Sequence, residues 1–145
     1  MNGKELHNFF GFQVEIDETA TRGWYSKSKG WACDCGHCRN FLTLARKREL
    51  PAPVLDTLDK LGIPPEKATY VCEICPNGEG LHYQFSYRIA GNILSGEVDR
   101  KAGGRCCHEP YPYSAPGFPE PHFDLEFWLT LPWVLDEPMD GPAGG

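Results

Sequence analysis

Long apolar runs are missing from this chain: no window reaches the roughly 18 apolar residues that a membrane span requires. Residues 1–12 hold no apolar stretch of secretory-signal length. The two absences lead to the expectation of a cytoplasmic protein with no membrane partner. Excess basic charge is missing as well. Lys and Arg number 14 against 20 Asp and Glu, a net charge of -6, whereas a surface that grips phosphates electrostatically is basic. A nucleic-acid partner is therefore not expected, and the short run Arg46-Lys47-Arg48 reads as a solvated helix end. Neither GxxxxGK[ST] nor GxGxxG occurs, so no phosphate-cradling loop is indicated, and no internal repeat is found.

What is present suits a globular fold. The chain of 145 residues is 41% hydrophobic and 12% aromatic, enough for one core. A single domain is expected over residues 1–135, with an unstructured tail at 136–145, where Gly and Pro dominate.

Alternation of Phe12, Val14 and Ile16 within FFGFQVEID (9–17) predicts a strand with one wet face. Trp24, Tyr25 and Trp31 suggest a second strand or ribbon over 22–33. The period then changes. Phe41, Leu42, Leu44 and Ala45 recur at helical spacing, predicting a helix from about residue 38 to 49, stopped by Pro51, with Arg46, Lys47 and Arg48 set against the negative end of its dipole. A second helix follows, with Pro53 in its first turn, Val54, Leu55, Leu58 and Leu61 along its stripe, and Gly62 as its left-handed cap.

Strand pattern returns at Thr69. Tyr83, Phe85, Tyr87 and Ile89 alternate with polar residues, and Ala90-Gly91-Asn92 carries turn chemistry, so a hairpin returning over 93–98 is expected. Phe123 to Leu131 alternates too, with His122, Asp124, Glu126 and Thr130 on the second face and Trp128 interrupting it. Between Arg100 and Pro121, eight of 22 residues are Gly or Pro, which predicts a long surface loop of the kind often used for function. The whole reads as an α+β domain: an antiparallel sheet with a short helical hairpin inserted after the N-terminal strands.

The chemistry lies in WACDCGHCRNF (31–41), which sets Cys33, Cys35 and Cys38 within six residues. Three readings compete. The segment Cys35-Gly36-His37-Cys38 carries the letters CGHC of the protein disulfide isomerase active site, and a thiolate at a helix N-terminus with a resolving thiol one turn later is a coherent redox pair. The preceding SKSKGWACD is polar, however, unlike the buried strand that leads into CxxC in thioredoxin-like domains, and Cys33 competes for either thiol.

A metal clip is the second reading. Zinc takes four thiolate or imidazole ligands, and a CxxC knuckle entering a helix supplies two. Cys33 makes a third if the chain turns at Asp34. Cys75, beside the turn at Pro76-Asn77-Gly78, is the expected fourth donor. Its partner Cys72 points to the other face of a strand, and the 33 residues between the two CxxC pairs exceed the roughly 15 to 20 of a zinc ribbon. Cys106, Cys107 and His108 are rival donors, and His37 reads as a solvent-facing residue of the turn. The third reading is that the thiols simply pack as small apolar groups.

Cysteine cluster, helix pair and C-terminal strand together resemble a group of small bacterial proteins. These carry a CxCxxC-R-N-F motif, here Cys33 to Phe41, then L-G-I-x-P-x-K, here Leu61 to Lys67, and an apolar strand ending in P-W-V-L, here Pro132 to Leu135. The resemblance implies a bacterial, soluble protein whose three-thiol segment belongs to the fold; it implies no activity. Cys72, Cys75, Cys106 and Cys107 lie outside that pattern.

The combined expectation is a non-catalytic domain that binds a protein or small-molecule partner, with a zinc clip at Cys33, Cys35, Cys38 and Cys75. The alternative is a thiol-disulfide oxidoreductase using Cys35 and Cys38. Tyr111, Tyr113 and Phe118 are nominated as an aromatic interaction surface, unless they pack back onto the sheet.

Overall fold

The computed structural model describes residues 4–98, 101, 103–108 and 115–139. Six strands and three helices form among them: β1 Lys4–Phe9, β2 Phe12–Asp17, α1 Glu18–Lys27, α2 Gly36–Arg46, α3 Ala52–Leu61, a 3₁₀ turn Pro65–Lys67, β3 Tyr70–Asn77, β4 Gly80–Gly96, β5 Gly104–Cys107 and β6 His122–Leu131. The strands make one antiparallel sheet in the order β1-β2-β4-β6-β5, with β3 also paired to β4. This is the expected α+β class.

Several local expectations change. The expected alternating strand is present as β2, with Phe12, Val14 and Ile16 buried, but it starts at Phe12 and not Phe9, because Phe10 and Gly11 take positive φ angles of 54° and 86°, the geometry of a tight two-residue turn joining it to β1. The Phe10 ring is seated edge-on against Phe127, 5.5 Å between centroids.

The strand expected over 22–33 is instead occupied largely by helix α1. Asp17 caps it, its carboxylate accepting from the Ala20 amide at 2.9 Å, and Thr21 and Tyr25, four residues apart, are its buried side chains. Of the aromatic residues that suggested β structure, Trp24 and Tyr25 lie in this helix and Trp31 lies in the irregular segment after it.

No turn forms at Ala90-Gly91-Asn92. β4 runs unbroken for 17 residues, pairing with β3 over 80–86 and with β2 over 91–96. Gly91, at φ 149°, serves close approach of two backbones: a Cβ there would collide with the Glu15 carbonyl of β2. Glycine inside a strand marks such a contact as readily as a turn.

Between those two pairings, hydroxyl groups replace a neighbouring strand. Thr69 donates from its amide and Oγ1 to the Ser86 carbonyl, and the Arg88 amide donates to Thr69 Oγ1. Tyr25 donates to the Arg88 carbonyl at 2.8 Å, and the Ala90 amide donates to Thr21 Oγ1 at 3.0 Å. A buried backbone group left unpaired is costly, and α1 meets that requirement with side chains.

One face of the sheet carries the helices. Phe41 of α2 lies 4.9 Å from Phe85 and 6.1 Å from Tyr83, and Tyr87 donates to the Pro65 carbonyl at 2.6 Å. On the second face, the polar side of β6, Asp124 and Glu126 are buried. Arg88 and Asp124 pair at 2.8 Å with about 1% of each side chain exposed. Glu126 accepts from Gln84, Arg105 and Trp128 at 2.8, 2.7 and 2.9 Å. Burial of charge is tolerated because each carboxylate has donors facing it. Trp128 is 40% exposed at the rim of this network.

Candidate metal centre

Helix α2 is built as its spacing predicts, with Cys38, Phe41, Leu42 and Ala45 buried, though it begins at Gly36 and ends at Arg46 rather than spanning 38–49. Cys35 occupies the N-cap in an extended conformation, and its carbonyl accepts the Arg39 amide at 2.9 Å. The three thiols of the segment therefore meet where the helix opens. Among the described residues, Sγ of Cys33, Cys35 and Cys38 lie within 4.8 Å of one another, with 3.2 Å between Cys33 and Cys35. This trio can hold a metal ion.

Their surroundings differ. Cys33 is exposed, Cys35 half-buried and Cys38 buried. The Cys35 amide beside Cys33 holds that thiol below its ordinary value, with the Cys35 side chain adding to the effect. Burial pushes Cys38 well up, against the opposing Trp31 indole, whose N–H donates to Cys38 Sγ at 3.1 Å. His37 stands beside Cys35, both ring nitrogens 3.4–3.5 Å from its Sγ, and its Nδ1 faces the Glu73 carboxylate of β3 at 3.7 Å.

The expected fourth ligand does not join them. Cys75 lies opposite His82 in the β3–β4 ladder, beyond a bulge, and is exposed; it is not part of the trio. Cys72 bonds to the Glu73 carbonyl instead. Cys106 and Cys107 lie on β5, and burial pushes both thiols up to about 12.

The R-N-F and P-W-V-L segments, 92 or more residues apart, lock together. Asn40, fully buried, donates to the Pro132 carbonyl at 3.0 Å and to Tyr83 Oη at 3.3 Å, and accepts the Val134 amide at 2.8 Å. Arg39 forms a two-pronged ion pair with Glu137 at 2.6 and 3.0 Å, and Trp133 donates to the Glu137 carbonyl at 2.7 Å. Tyr83 donates to the His37 carbonyl at 2.6 Å. The tail expected from residue 136 is thus tied down through Glu137, and Met139 packs against the core; residues 140–145 lie outside the described residues. Sequence reasoning missed Asn40 and Tyr83 as supports, because a polar residue on a helix and an alternating aromatic carry no local sign of a distant partner.

Of the nominated interaction surface, Phe118 is buried, not presented outward. Its ring lies 4.9 Å from Trp24 and 6.0 Å from Tyr25, because the apolar end of α1 needs cover. Tyr111 and Tyr113 lie outside the described residues.

A second trio, Glu5, His7 and Glu18, also brings its ligand atoms within 4.8 Å. There His7 already hydrogen-bonds Glu18 at 3.0 Å, and Arg22 lies 3.8 Å from the Glu18 carboxylate. No described helix is long and apolar enough to cross a membrane. Comparison with family models, with curated proteins and with solved structures found no match to the chain.

Proposed function

We propose that Cys33, Cys35 and Cys38 bind a structural zinc ion and that the domain works by binding a protein or small-molecule partner, without catalysis. The observation that carries this reading is the mutual approach of the three sulfurs. Thiolates sharing a tetrahedral zinc lie about 3.8 Å apart, given Zn–S distances of about 2.3 Å. Chain spacing brings the three thiols near one another, and a divalent cation would use their convergence within 4.8 Å at the helix mouth. The Trp31 N–H on Cys38 supports the same reading, since a donor to a coordinated sulfur orients and tunes the ligand. The neighbouring polar groups, Arg39, Asn40 and Tyr83, are engaged in holding backbone and tail.

Protein purified without added metal is expected to hold about one zinc per chain and to lose thermal stability on chelation; Cys35→Ser is expected to lose the metal. A wild-type protein free of zinc, with a melting temperature indifferent to chelator, overturns the proposal.

One observation favours a second reading. Cys35 at the N-cap with Cys38 one turn inside the helix is the order of an attacking and a resolving thiol. Cys33, 3.2 Å from Cys35, weighs against it by offering a rival partner. Reduction of insulin disulfides with dithiothreitol as donor, lost in Cys35→Ser, would favour the oxidoreductase.

A further inference from the structure

From the geometry around α2 we infer that His37 Nε2 is the fourth zinc ligand, completing a Cys3His site, and that Glu73 of β3 is the carboxylate that orients the imidazole. The inference rests on the zinc reading above and replaces Cys75 as fourth donor.

Distance supports it first. Across a tetrahedral zinc, with Zn–S of about 2.3 Å and Zn–N of about 2.0–2.1 Å, sulfur and nitrogen ligands lie about 3.5 Å apart. The His37 ring meets that spacing, with Nε2 3.4 Å and Nδ1 3.5 Å from Cys35 Sγ, and the choice between the two nitrogens rests on Glu73. Chemistry supports it second. A metal-bound histidine almost always gives its other ring N–H to a carboxylate or carbonyl, and His37 Nδ1 faces Glu73 Oε1 at 3.7 Å. Drawn in to hydrogen-bond distance when metal binds, that carboxylate would hold the proton on Nδ1 and free Nε2 to ligate. The backbone supports it third, because Tyr83 fixes the His37 carbonyl at 2.6 Å and so limits ring placement to rotation about the side-chain bonds. His37 and Cys75 both lie outside the 4.8 Å trio, but the His37 ring already stands 3.4 Å from Cys35 Sγ and needs only side-chain rotation to join it, whereas Cys75 is exposed beyond the β3 bulge.

The site would then join three parts of the fold: the 33–35 segment, the first turn of α2 and, through Glu73, strand β3. Glu73 is a positioning residue and touches no metal.

X-ray absorption of the zinc-loaded wild-type protein tests the ligand set directly. A first shell of three sulfurs and one nitrogen, with imidazole outer-shell scattering that disappears in His37→Ala, is the expected result. Zinc affinity, by competition with a chromophoric chelator, is expected to fall at least tenfold in His37→Ala and about 10- to 100-fold in Glu73→Gln, the range for loss of an outer-shell partner. The cobalt-substituted protein should keep its thiolate-to-metal bands in Glu73→Gln, showing that the ligands themselves remain. A four-sulfur shell, or an unchanged affinity in His37→Ala, overturns the inference while leaving the zinc clip standing. An unchanged affinity in Glu73→Gln removes Glu73 from it. Absence of zinc from the wild-type protein overturns clip and inference together.

Discussion

Asn40 shows how much one side chain can decide. It is fully buried, and each of its polar atoms meets a partner on β4 or the 132–134 segment. Asn40→Ala removes the bonds that hold the Val134 amide and the Pro132 carbonyl, on residues that themselves face solvent, and the bond to the buried Tyr83 hydroxyl. The expected cost is about 1–3 kcal/mol, because each intramolecular hydrogen bond contributes a net of about 0.5–1.5 kcal/mol. Urea denaturation should show a lower midpoint with an unchanged slope; a midpoint within error of wild type would contradict the latch. From sequence, Asn40 was a polar residue in an apolar stripe, and nothing local identified its partners. The three thiols were legible because their spacing is local, whereas His37 read as solvent-facing because Glu73 approaches only through the sheet.

Among the elements, the edge of β4 between its two partner strands carries the clearest test. Tyr25→Phe removes one hydroxyl and with it the buried bond to the Arg88 carbonyl, for an expected loss of about 0.5–1.5 kcal/mol. Amide exchange should locate the change, with faster exchange along 86–90 and little effect in α2. Uniform loss of protection would mean that the hydroxyl acts on the whole core instead. This edge also explains what the sequence concealed. α2, α3, β3 and β6 follow periodicities that can be counted along the chain, and they were legible. α1 was hidden because Trp24 and Tyr25 have high strand propensity, and tertiary packing overrides propensity in a ten-residue segment. β4 was cut in two because Gly91-Asn92 has the composition of a turn, while the glycine in fact admits the Glu15 carbonyl.

At the scale of the whole molecule, burial of acidic side-chain protons sets a dependence on alkaline pH. Burial raises the phenols of Tyr25 and Tyr87 well above their ordinary value and pushes Cys106 and Cys107 up to about 12. In the unfolded chain these thiols and phenols ionise near their ordinary values of about 8.5 and 10. Above those values the unfolded state binds fewer protons than the folded one, so stability falls as pH rises. The contribution is fully present below about pH 8.5 and is lost progectively toward pH 12 for the thiols, and from about pH 10 upward for the phenols. Melting temperature should therefore decline steadily between pH 8.5 and 11 with no matching decline between pH 7 and 8. A flat profile to pH 11 would mean that these groups are not shielded from water.

The latch at the mouth of α2 has a consequence for biosynthesis. Arg39 and Asn40 find their partners 92 to 98 residues later in the chain. On the ribosome, the cysteine segment therefore emerges well before the strand and tail that brace it. Until residues 132–137 have been made, the first turn of that helix stands without its far-off braces, and a nascent chain halted short of them carries the three thiols on an unsecured turn.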